Sequence, residues 1–297
     1  MKRILITGSN GLLGRELVNN LAGLGHEVIG ISKGVCRSAP ANSSTFRYYD
    51  VDITDDLAVE KLMQEERPHT VVHAAAMTQV DECEQQGARC EAVNVKATAQ
   101  LLVSAEQWSR HFIFISTDFV FDGEKGNYAE DDDLNPVSWY GFTKVQAEGI
   151  VSTSEIPFAI IRTCLVYGAT EKGMRNNIVM WVKQSLEDGK QIQVVSDQWR
   201  TPTYVKDLAR GIALVIEKNA TGTFHISGSE GMTPYDIALQ TAASCGLDAA
   251  LIEKTDANRF SQPAKRPQKT GFDISKARNV LGYVPTPFKD ALREIFR

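Results

Sequence analysis

The sequence predicts an α/β protein built on a doubly wound parallel sheet, with a smaller α/β lobe toward the C-terminus. Short apolar segments alternate with helix-patterned segments in the first half of the chain, as expected for βαβ units whose sheet is covered on both faces. A glycine-rich turn links the first such strand to the first helix. Beyond residue 165 the alternation becomes irregular, so we expect one domain at 1–165, completed by about 203–226, and a second lobe at 166–202 and 227–297.

Each element follows from its local pattern of apolar residues. The segments predicted as strands in the first half are RILITG, HEVIGIS, FRYYDVDI, HTVVHAAA, HFIFIST and FAIIRTCLVYG. The helices predicted between them are LLGRELVNNLAGLG, ITDDLAVEKLMQEERP, VNVKATAQLLVSAEQWS and a segment from near Ser138 to about Val151. Later in the chain TGTFHISG is a predicted strand, and the predicted helices are NNIVMWVKQSLEDG, TPTYVKDLARGIALVIEK, TPYDIALQTAASCG, DISKARNVLGY and PFKDALREIF.

The composition is that of a globular protein and argues against several classes of function. The formal net charge of -5 comes without a basic block, so we expect no nucleic-acid partner. The five cysteines form no C-x-x-C pair, which indicates reduced thiols in the cytoplasm, and the five histidines form no ligand motif, so we expect no metal. The N-terminal MKRILITGSNG is a strand and turn rather than a signal peptide, and we expect no membrane segment.

The glycine-rich turn predicts a dinucleotide site. The segment ITGSNGLLG lies between a buried strand and an amphipathic helix, where glycines allow a tight turn and bring free helix amides close to a pyrophosphate. The spacing G-x-x-G-x-x-G is one residue longer than G-x-G-x-x-G. The sheet is therefore expected to be of the Rossmann type, and the cofactor residues predicted in this turn are Gly8, Asn10, Gly11, Leu12, Leu13 and Gly14.

The residues after the second strand favour NADP(H) over NAD(H). Ser32, Lys33 and Arg37 stand where an NAD-binding sheet would carry a carboxylate for the ribose 2′-hydroxyl, and cations there would suit a 2′-phosphate. NAD(H) remains the alternative if Lys33 and Arg37 are ordinary solvated charges. Asp52 and Ile53, after the third strand, are expected to flank the adenine.

Three polar residues follow the glycine turn in the order Thr117, Tyr140 and Lys144. Thr117 ends a predicted strand, where doubly wound sheets bind ligands, and Tyr140 and Lys144 share one face of a helix. A phenol has a pKa of about 10, which a nearby ammonium and a positively charged nicotinamide ring would lower. Each residue alone could be a surface feature, but an ammonium beside the phenol would suit the phenol to transfer a proton.

These motifs resemble the extended short-chain dehydrogenase/reductase superfamily. Within it, HAAAMTQVDECEQ, STDFVFDG, NPVSWYGFTKVQAE, DQWRTPTYVKDLA and AKRPQKTGFDISKARNVLG are similar to the dTDP-4-dehydrorhamnose reductase family of sugar-nucleotide reductases. The resemblance implies NADPH-dependent reduction of the 4-keto group of a nucleotide-linked deoxysugar, with dTDP-4-dehydrorhamnose as the first candidate and a homodimer as a further expectation. It implies that Thr117, Tyr140 and Lys144 are catalytic and that Lys144 also binds the nicotinamide ribose. It further places Ala75, Ala76 and Thr78 in the cofactor cleft, and Val80, Asp118, Leu165, Arg200 and Arg266 at the substrate, Arg200 and Arg266 being candidate diphosphate contacts or solvated charges.

Departures from the family pattern leave alternatives open. Phe119 stands where related 4,6-dehydratases carry a glutamate, which argues against dehydration. Leu165 stands where the rhamnose-pathway reductases have a tryptophan, and DQWRTPT differs from DQYGAPT, so a related sugar-nucleotide reductase or epimerase remains an alternative. The later half, including TGTFHISGSEGMTPYDIA, also resembles the regulatory β subunit of methionine adenosyltransferase. That resemblance would imply a non-catalytic NADP-binding subunit.

Overall fold

A computed structural model describes residues 1–40, 45–171, 174–259 and 262–297. The strands are β1 Arg3–Thr7, β2 Glu27–Ser32, β3 Phe46–Asp50, β4 Thr70–His73, β5 His111–Thr117, β6 Phe158–Thr163, β7 Val166–Tyr167, β8 Ile192–Val195, β9 Thr203–Tyr204, β10 Gly222–His225 and β11 Ile252–Thr255. The α-helices are α1 Leu12–Gly23, α2 Asp56–Glu66, α3 Val80–Gln85, α4 Gly87–Glu91, α5 Ala97–Trp108, α6 Trp139–Val151, α7 Ile178–Glu187, α8 Val205–Lys218, α9 Pro234–Cys245 and α10 Phe288–Ile295. The predicted α/β fold is confirmed.

The central sheet has seven parallel strands in the order β10-β6-β5-β4-β1-β2-β3. The chain builds outward from β1 to β3, then returns to the other side of β1 with β4 and continues to β6. This reversal creates a crevice at the carboxyl ends of β1 and β4, which is where doubly wound sheets bind ligands. The glycine turn after β1 therefore opens at the expected ligand edge.

Alternate strand residues supply the two apolar layers of the sheet. Ile4 and Ile6 of β1 lie in one buried cluster with residues of α1 and α8, whereas Leu5 lies in a second cluster with residues of α2, α5 and α6. Successive side chains of a strand point to opposite faces, so a strand buried on both faces must be apolar throughout. This explains why the strand segments carry continuous rather than alternating apolar patterns.

The later elements form a smaller layer beside the sheet. β8 pairs in parallel with β11, and apolar side chains of α7 and α9, among them Val182 and Ala238, lie in one buried cluster with Val194 of β8 and Ile252 of β11. Helix α9 begins as its sequence predicts, because Thr233 and Asp236 form a reciprocal capping box. By contrast, β10 and α8 belong to the central sheet and its covering layer. The domain division at residue 165 remains a prediction.

Four predicted elements differ from those in the structure. FAIIRTCLVYG is not one strand, because Leu165 has φ +40°, a left-handed conformation that ends β6 and separates it from β7. TPTY ends in β9, Thr203–Tyr204, rather than forming the first turn of a helix, so α8 begins at Val205. A π-helical turn, Ala92–Lys96, precedes α5, and a second, Ala277–Leu281, replaces the predicted α-helix in DISKARNVLGY. Hydrophobic periodicity does not report such local changes of backbone winding.

Candidate active site

The glycine turn leaves the N-terminus of α1 open to a ligand. Gly8 has φ +70°, and a Cβ on Gly14 would lie 2.2 Å from the Gly8 carbonyl oxygen, so the turn requires glycine at both positions. Gly11 is the N-cap residue and supplies no side-chain cap. The first amides of α1 thus have no capping side chain, and Leu12 and Leu13 begin the helix with the geometry of a diphosphate cradle.

The loop after β2 is tied to the glycine turn by Asn10. Its side-chain amide donates to the carbonyl oxygens of Lys33 and Val35, at 3.4 and 3.0 Å, and its Oδ1 accepts from the Arg37 N–H at 2.8 Å. Ser32 Oγ accepts from the Asn10 N–H at 3.4 Å. The structure therefore gathers the predicted ribose residues beside the predicted pyrophosphate residues.

Two carboxylates, from the end of β3 and from the segment that follows it, lie beside the loop after β2. Asp50 lies opposite Ser32 in the sheet register and accepts from the Gly34 N–H at 2.7 Å. Asp52 forms an ion pair with Lys33, with Oδ2 2.6 Å from Nζ. The sequence showed no carboxylate at the end of β2, but parallel pairing with β3 brings two there. Lys33 has a protein partner instead of pointing freely at a phosphate.

A chain of hydrogen bonds supports the loop after β4. The Ala75 N–H donates to Thr7 Oγ1 at 3.0 Å, and Thr7 Oγ1 lies 2.8 Å from His73 Nδ1. His73 Nε2 lies 2.9 Å from Thr98 Oγ1, whose proton goes to the Asn94 carbonyl, so Nε2 carries the proton of the imidazole. Burial lowers the pKa of His73 to about 3.

That loop lies against the glycine turn. A Cβ on Gly8 would approach Ala75 Cα to 2.9 Å, so the two segments are in close contact. The Met77 N–H donates to Asn94 Oδ1 at 2.8 Å, which fixes the loop two residues later. Ala76 and Thr78 are next to these fixed positions. The structure thus places the predicted cleft residues at the switch point of the sheet.

Thr117 and Tyr140 meet at the carboxyl end of β5. Ser138 caps the N-terminus of α6 through the Gly141 N–H, at 3.2 Å, and so sets Tyr140 in the first turn. Burial raises the pKa of the Tyr140 phenol, and a hydrogen bond with Thr117 offsets this in part. Removal of the phenol from water is the largest influence on this pKa, and the predicted lowering by Lys144 together with a positively charged nicotinamide ring remains a prediction.

Lys144 lies one turn further along α6. Its Nζ donates to the Ile115 carbonyl at 2.7 Å and lies 3.9 Å from the centroid of the Phe114 ring. The side chain is buried, and burial lowers its pKa to about 7, with Glu148 and Cys90 acting in the opposite direction. A lysine of such pKa changes charge near neutrality, which is unusual for a structural lysine.

Asp118 and Arg200 form part of a buried brace. Asp118 accepts from the Thr117 hydroxyl at 3.2 Å and also from the Thr270 hydroxyl. The Arg200 guanidinium donates to the carbonyl oxygens of Gln268 and Pro267, at 3.0 and 2.7 Å, and its Nε lies 3.5 Å from Asp118 Oδ2. Arg200 therefore holds protein groups in this structure, and its predicted diphosphate contact would need these bonds to be exchanged.

The other predicted substrate residues flank this brace. Val80 packs beside Tyr140 in a small apolar cluster. Arg266 forms a bidentate ion pair with Asp81, in which the shorter N–O distance is 2.6 Å. This pair links the C-terminal segment to α3. Leu165 packs between two buried clusters in its left-handed conformation. All three remain predicted substrate contacts.

A cavity of about 530 Å³ adjoins the predicted substrate side. It is lined by residues 122–124, which follow the turn after Thr117, and by segments of the C-terminal lobe. Its charged lining includes Asp122, Glu124, Asp197, Lys265, Arg266 and Lys269. Because Thr117 and Tyr140 are not among the described lining residues, the cavity is a neighbour of the candidate catalytic residues rather than their immediate surroundings.

Several buried residues of the site were not predicted. Asn94, in the π-helical turn, also donates to Thr143 Oγ1 on α6 at 3.1 Å. The Thr270 hydroxyl donates a hydrogen bond to Asp118, which lies 152 residues earlier in the sequence. Cys83 and Cys90 pack with Tyr140. A lone asparagine in the apolar segment VNVKATAQLL was a usable signal, whereas the other contacts depend on chain crossings that have no local pattern.

Clusters of possible metal ligands and long apolar helices are the features of the described residues that bear on metal and membrane binding. No group of three or more His, Cys, Asp or Glu side chains in the described ranges is placed to hold a metal ion. Across these same ranges, no helix has the length and apolar character needed to cross a bilayer.

Comparison with known proteins decides the family. A family model for the RmlD substrate binding domain matches residues 1–297. The chain belongs to this family. The fold, the glycine turn and the Thr117, Tyr140 and Lys144 set are therefore those of an RmlD-family chain, and the predicted resemblance to this group of proteins is confirmed.

Three curated relatives span nearly the whole RmlD-family chain. A probable low-salt glycan biosynthesis reductase, Agl14 of Haloferax volcanii, is 33% identical over 97% of this chain and 95% of its own. The methionine adenosyltransferase 2 subunit beta of Mus musculus is 31% identical over 99% and 86%. A dTDP-4-keto-6-deoxy-D-glucose reductase of Streptomyces niveus is 32% identical over 90% and 87%.

Two solved structures of dTDP-4-dehydrorhamnose reductases match the fold over nearly the whole chain. A dTDP-4-dehydrorhamnose reductase from Clostridium acetobutylicum is 33% identical, with a TM-score of 0.87 over 99% of this chain and 98% of that chain. A dTDP-4-dehydrorhamnose reductase from Bacillus anthracis, in complex with NADP, is 26% identical, with a TM-score of 0.86 over 99% and 98%.

Proposed function

We propose that this protein is an NADPH-dependent reductase of the 4-keto group of a nucleotide-linked deoxysugar, with dTDP-4-dehydrorhamnose converted to dTDP-rhamnose as the first candidate reaction. The observation that carries the proposal is the contact between Thr117 and Tyr140, with Lys144 one helical turn away, at the carboxyl edge of the glycine-turn sheet. Membership of the RmlD family supports the proposal, and so does the similarity to a dTDP-4-keto-6-deoxy-D-glucose reductase and a dTDP-4-dehydrorhamnose reductase.

The residues present fit a dinucleotide. The bare N-terminus of α1 and the glycines at Gly8 and Gly14 suit the diphosphate, and Lys33 and Arg37 suit a 2′-phosphate, so NADP(H) is the preferred cofactor and NAD(H) the alternative. The Bacillus anthracis relative bound to NADP supports this preference. When bound, the reduced cofactor supplies the hydride that reduces the carbonyl carbon.

Tyr140 is suited to donate the proton. Because burial raises the pKa of its phenol, Tyr140 is protonated at neutral pH and can give its proton to the oxygen of a carbonyl as that oxygen becomes negative. The Thr117 hydroxyl orients the same oxygen once its bond to Asp118 is exchanged for the substrate. Lys144, one helical turn from Tyr140, is positively charged below its pKa of about 7 and in that form would stabilise the tyrosinate left after transfer.

The cavity beside the site provides room for the nucleotide end of the substrate. Lys265, Arg266 and Lys269 supply positive charge there, and Asp197 and Glu124 supply hydrogen-bond acceptors. Arg266 would bind the diphosphate after releasing Asp81.

The test is turnover of the candidate substrate. Purified protein is mixed with NADPH and dTDP-4-keto-6-deoxy-L-mannose, and nicotinamide absorbance is followed at 340 nm, about where reduced nicotinamide absorbs. We expect rapid oxidation that depends on the sugar nucleotide. Absence of oxidation with this compound and with other 4-keto sugar nucleotides, in a protein that binds NADPH, would overturn the proposal.

A second candidate function is supported by one observation, the 31% identity over 99% of the chain to a methionine adenosyltransferase 2 subunit beta. Under this alternative the fold and cofactor site serve binding to an enzyme partner rather than turnover. Co-purification with a methionine adenosyltransferase, together with the absence of NADPH oxidation, would favour it.

A further inference from the structure

Helix α6 carries three buried titratable side chains in a single row. Tyr140, Lys144 and Glu148 follow each other at intervals of four residues, which places them on one face of the helix. Their exposed fractions are 8%, 2% and 3%. The proposed reaction assigns a task to Tyr140 and Lys144 but none to Glu148. A buried carboxylate in the row behind a catalytic lysine therefore requires its own explanation.

Glu148 is held in place by Arg162 of β6. The Arg162 Nε lies 3.1 and 3.2 Å from the two carboxylate oxygens, and a second guanidinium nitrogen lies 2.8 Å from Oε2. The remaining Arg162 nitrogen donates to the Glu130 carbonyl at 3.1 Å and lies 3.5 Å from His225 Nε2. The buried side chains of Lys144, Glu148 and Arg162 are therefore basic, acidic and basic in that order. Lys144 and Glu148 are on α6, and Arg162 is on β6.

Burial disfavours the charge of Lys144, and two local contacts favour it. Its ammonium has one carbonyl acceptor, on Ile115, and the face of Phe114. The titratable and charged groups that face it are Tyr140 and Glu148 on α6, Cys90 on α4, His73 on β4 and, beyond Glu148, Arg162 on β6. Of these, Glu148 is the carboxylate, and i to i+4 neighbours on a helix are about 5–6 Å apart at Cβ.

We propose that Glu148, fixed by Arg162, is a positioning residue that keeps Lys144 in its ammonium form beside Tyr140 and the predicted cofactor ribose. Burial lowers the pKa of Lys144 to about 7, and Glu148 limits that lowering. Without the carboxylate, a larger fraction of Lys144 would be the neutral amine at pH 7, and less of the protein could stabilise the Tyr140 anion. The catalytic consequence rests on the proposed function, whereas the effect on the protonation of Lys144 does not.

A purely structural role for the pair gives a different expectation. A buried ion pair can brace a helix against a strand, and breaking it leaves an unpaired buried charge. Replacing both partners with methionine, as Glu148→Met together with Arg162→Met, removes both charges and keeps apolar packing. If the pair is only a brace, this double variant keeps the native titration of Lys144. If Glu148 sets the charge of Lys144, the double variant lowers the pH at which Lys144 titrates, but by less than Glu148→Gln does, because the double variant also removes the positive charge of Arg162.

The first measurement does not depend on turnover. The free energy of unfolding is determined between pH 6 and pH 10, about the range over which Lys144 titrates, for the wild type and for Lys144→Met. Because the folded-state pKa of Lys144 lies below its ordinary value of 10.5, the lysine makes stability rise with pH between about 7 and 10.5, and Lys144→Met lacks this rise. In Glu148→Gln, which leaves Arg162 unpaired, the rise should begin at least roughly one pH unit lower, and in the double variant it should begin between that pH and the wild-type onset.

The second measurement is the pH profile of kcat/KM with NADPH and the sugar nucleotide. The loss of activity at high pH should move to lower pH in both variants, and further in Glu148→Gln than in the double variant, while Glu187→Gln on α7, which removes an exposed partner of Lys183, should not move it. An unchanged onset of the stability rise in both Glu148 variants would overturn the inference. If the wild type oxidises no NADPH, the proposed function fails, and the stability measurement still decides the role of Glu148.

Discussion

Lys33 and Asp52 form an ion pair across the ends of β2 and β3, with Nζ 2.6 Å from Oδ2. The pair occupies the corner where the sequence predicts the cofactor's 2′-phosphate. Lys33→Ala should weaken NADPH binding by roughly tenfold, since one charge-assisted hydrogen bond is lost, and should leave NADH binding nearly unchanged. Dissociation constants from cofactor fluorescence test this. Lys61→Ala on α2, an exposed lysine near Glu65, is the control and should affect neither cofactor.

Tyr140→Phe should lower kcat by at least about 100-fold, because the proton donor is removed. Binding of NADPH should remain close to that of the wild type, since the diphosphate cradle lies in the turn before α1. Single-turnover kinetics and cofactor titration measure the two effects. Tyr235→Phe, in α9, is a matched control. Full turnover by Tyr140→Phe would contradict the catalytic assignment.

Arg200→Lys should chiefly lower stability. Lysine keeps the charge but cannot make both bonds to the Pro267 and Gln268 carbonyls, and loss of one hydrogen bond of a charged group costs about 1.5–3 kcal/mol. Urea unfolding measures this, with Arg293→Lys on the surface as the control. A rise in KM for the sugar nucleotide at unchanged stability would instead support the predicted diphosphate contact.

Stability should fall in acid because His73 is buried in its neutral form. Its pKa in the folded protein is about 3 and its ordinary value 6.5, so the unfolded chain binds the proton first as the pH falls. The contribution is intact above pH 6.5 and decreases toward pH 3, by roughly 1.4 kcal/mol per pH unit. Urea unfolding at several pH values should show a shallower pH dependence for His73→Gln. The exposed His69→Gln should keep the dependence of the wild type.

Gly14→Ala should disturb the glycine turn. The new Cβ would lie 2.2 Å from the Gly8 carbonyl oxygen, so the turn must move, at a cost of about 1–3 kcal/mol. We expect weaker NADPH binding together with lower stability. Gly23→Ala is the control in the same helix, because its Cβ would meet no atom within 4 Å and should be neutral or stabilise by up to about 1 kcal/mol. Equal behaviour of the two variants would contradict the close approach at Gly14.

Local pattern was a good guide wherever one element decides the outcome. The continuous apolar strands and the glycine turn predicted the parallel sheet and its ligand edge, and both are present. The YGFTK spacing predicted that Tyr140 and Lys144 share a helix face, because a helix repeats every 3.6 residues whatever surrounds it. The assignment of these residues to catalysis and substrate binding remains a prediction.

Pattern failed where the backbone departs from regular winding. Leu165 adopts a left-handed conformation that no apolar periodicity signals, so one predicted strand became β6 and β7. The π-helical turn before α5 turns Asn94 inward to join the loop after β4 to α6. Both departures lie within the site or beside it, which is where strained or irregular backbone is commonly found.

The sequence by itself determined the fold class, the family and the set of residues at the ligand edge, because these depend on periodicity, turn chemistry and order along the chain. Tertiary structure decided what each charge does. Burial is the largest influence on the pKa of the Tyr140 phenol, and it brings the pKa of Lys144 close to neutrality. Chain crossings decided that Lys33 pairs with Asp52, Arg200 with the C-terminal segment and Arg162 with Glu148. Desolvation and pairing depend on neighbours distant in sequence, so their effects could be known only after the chain was folded.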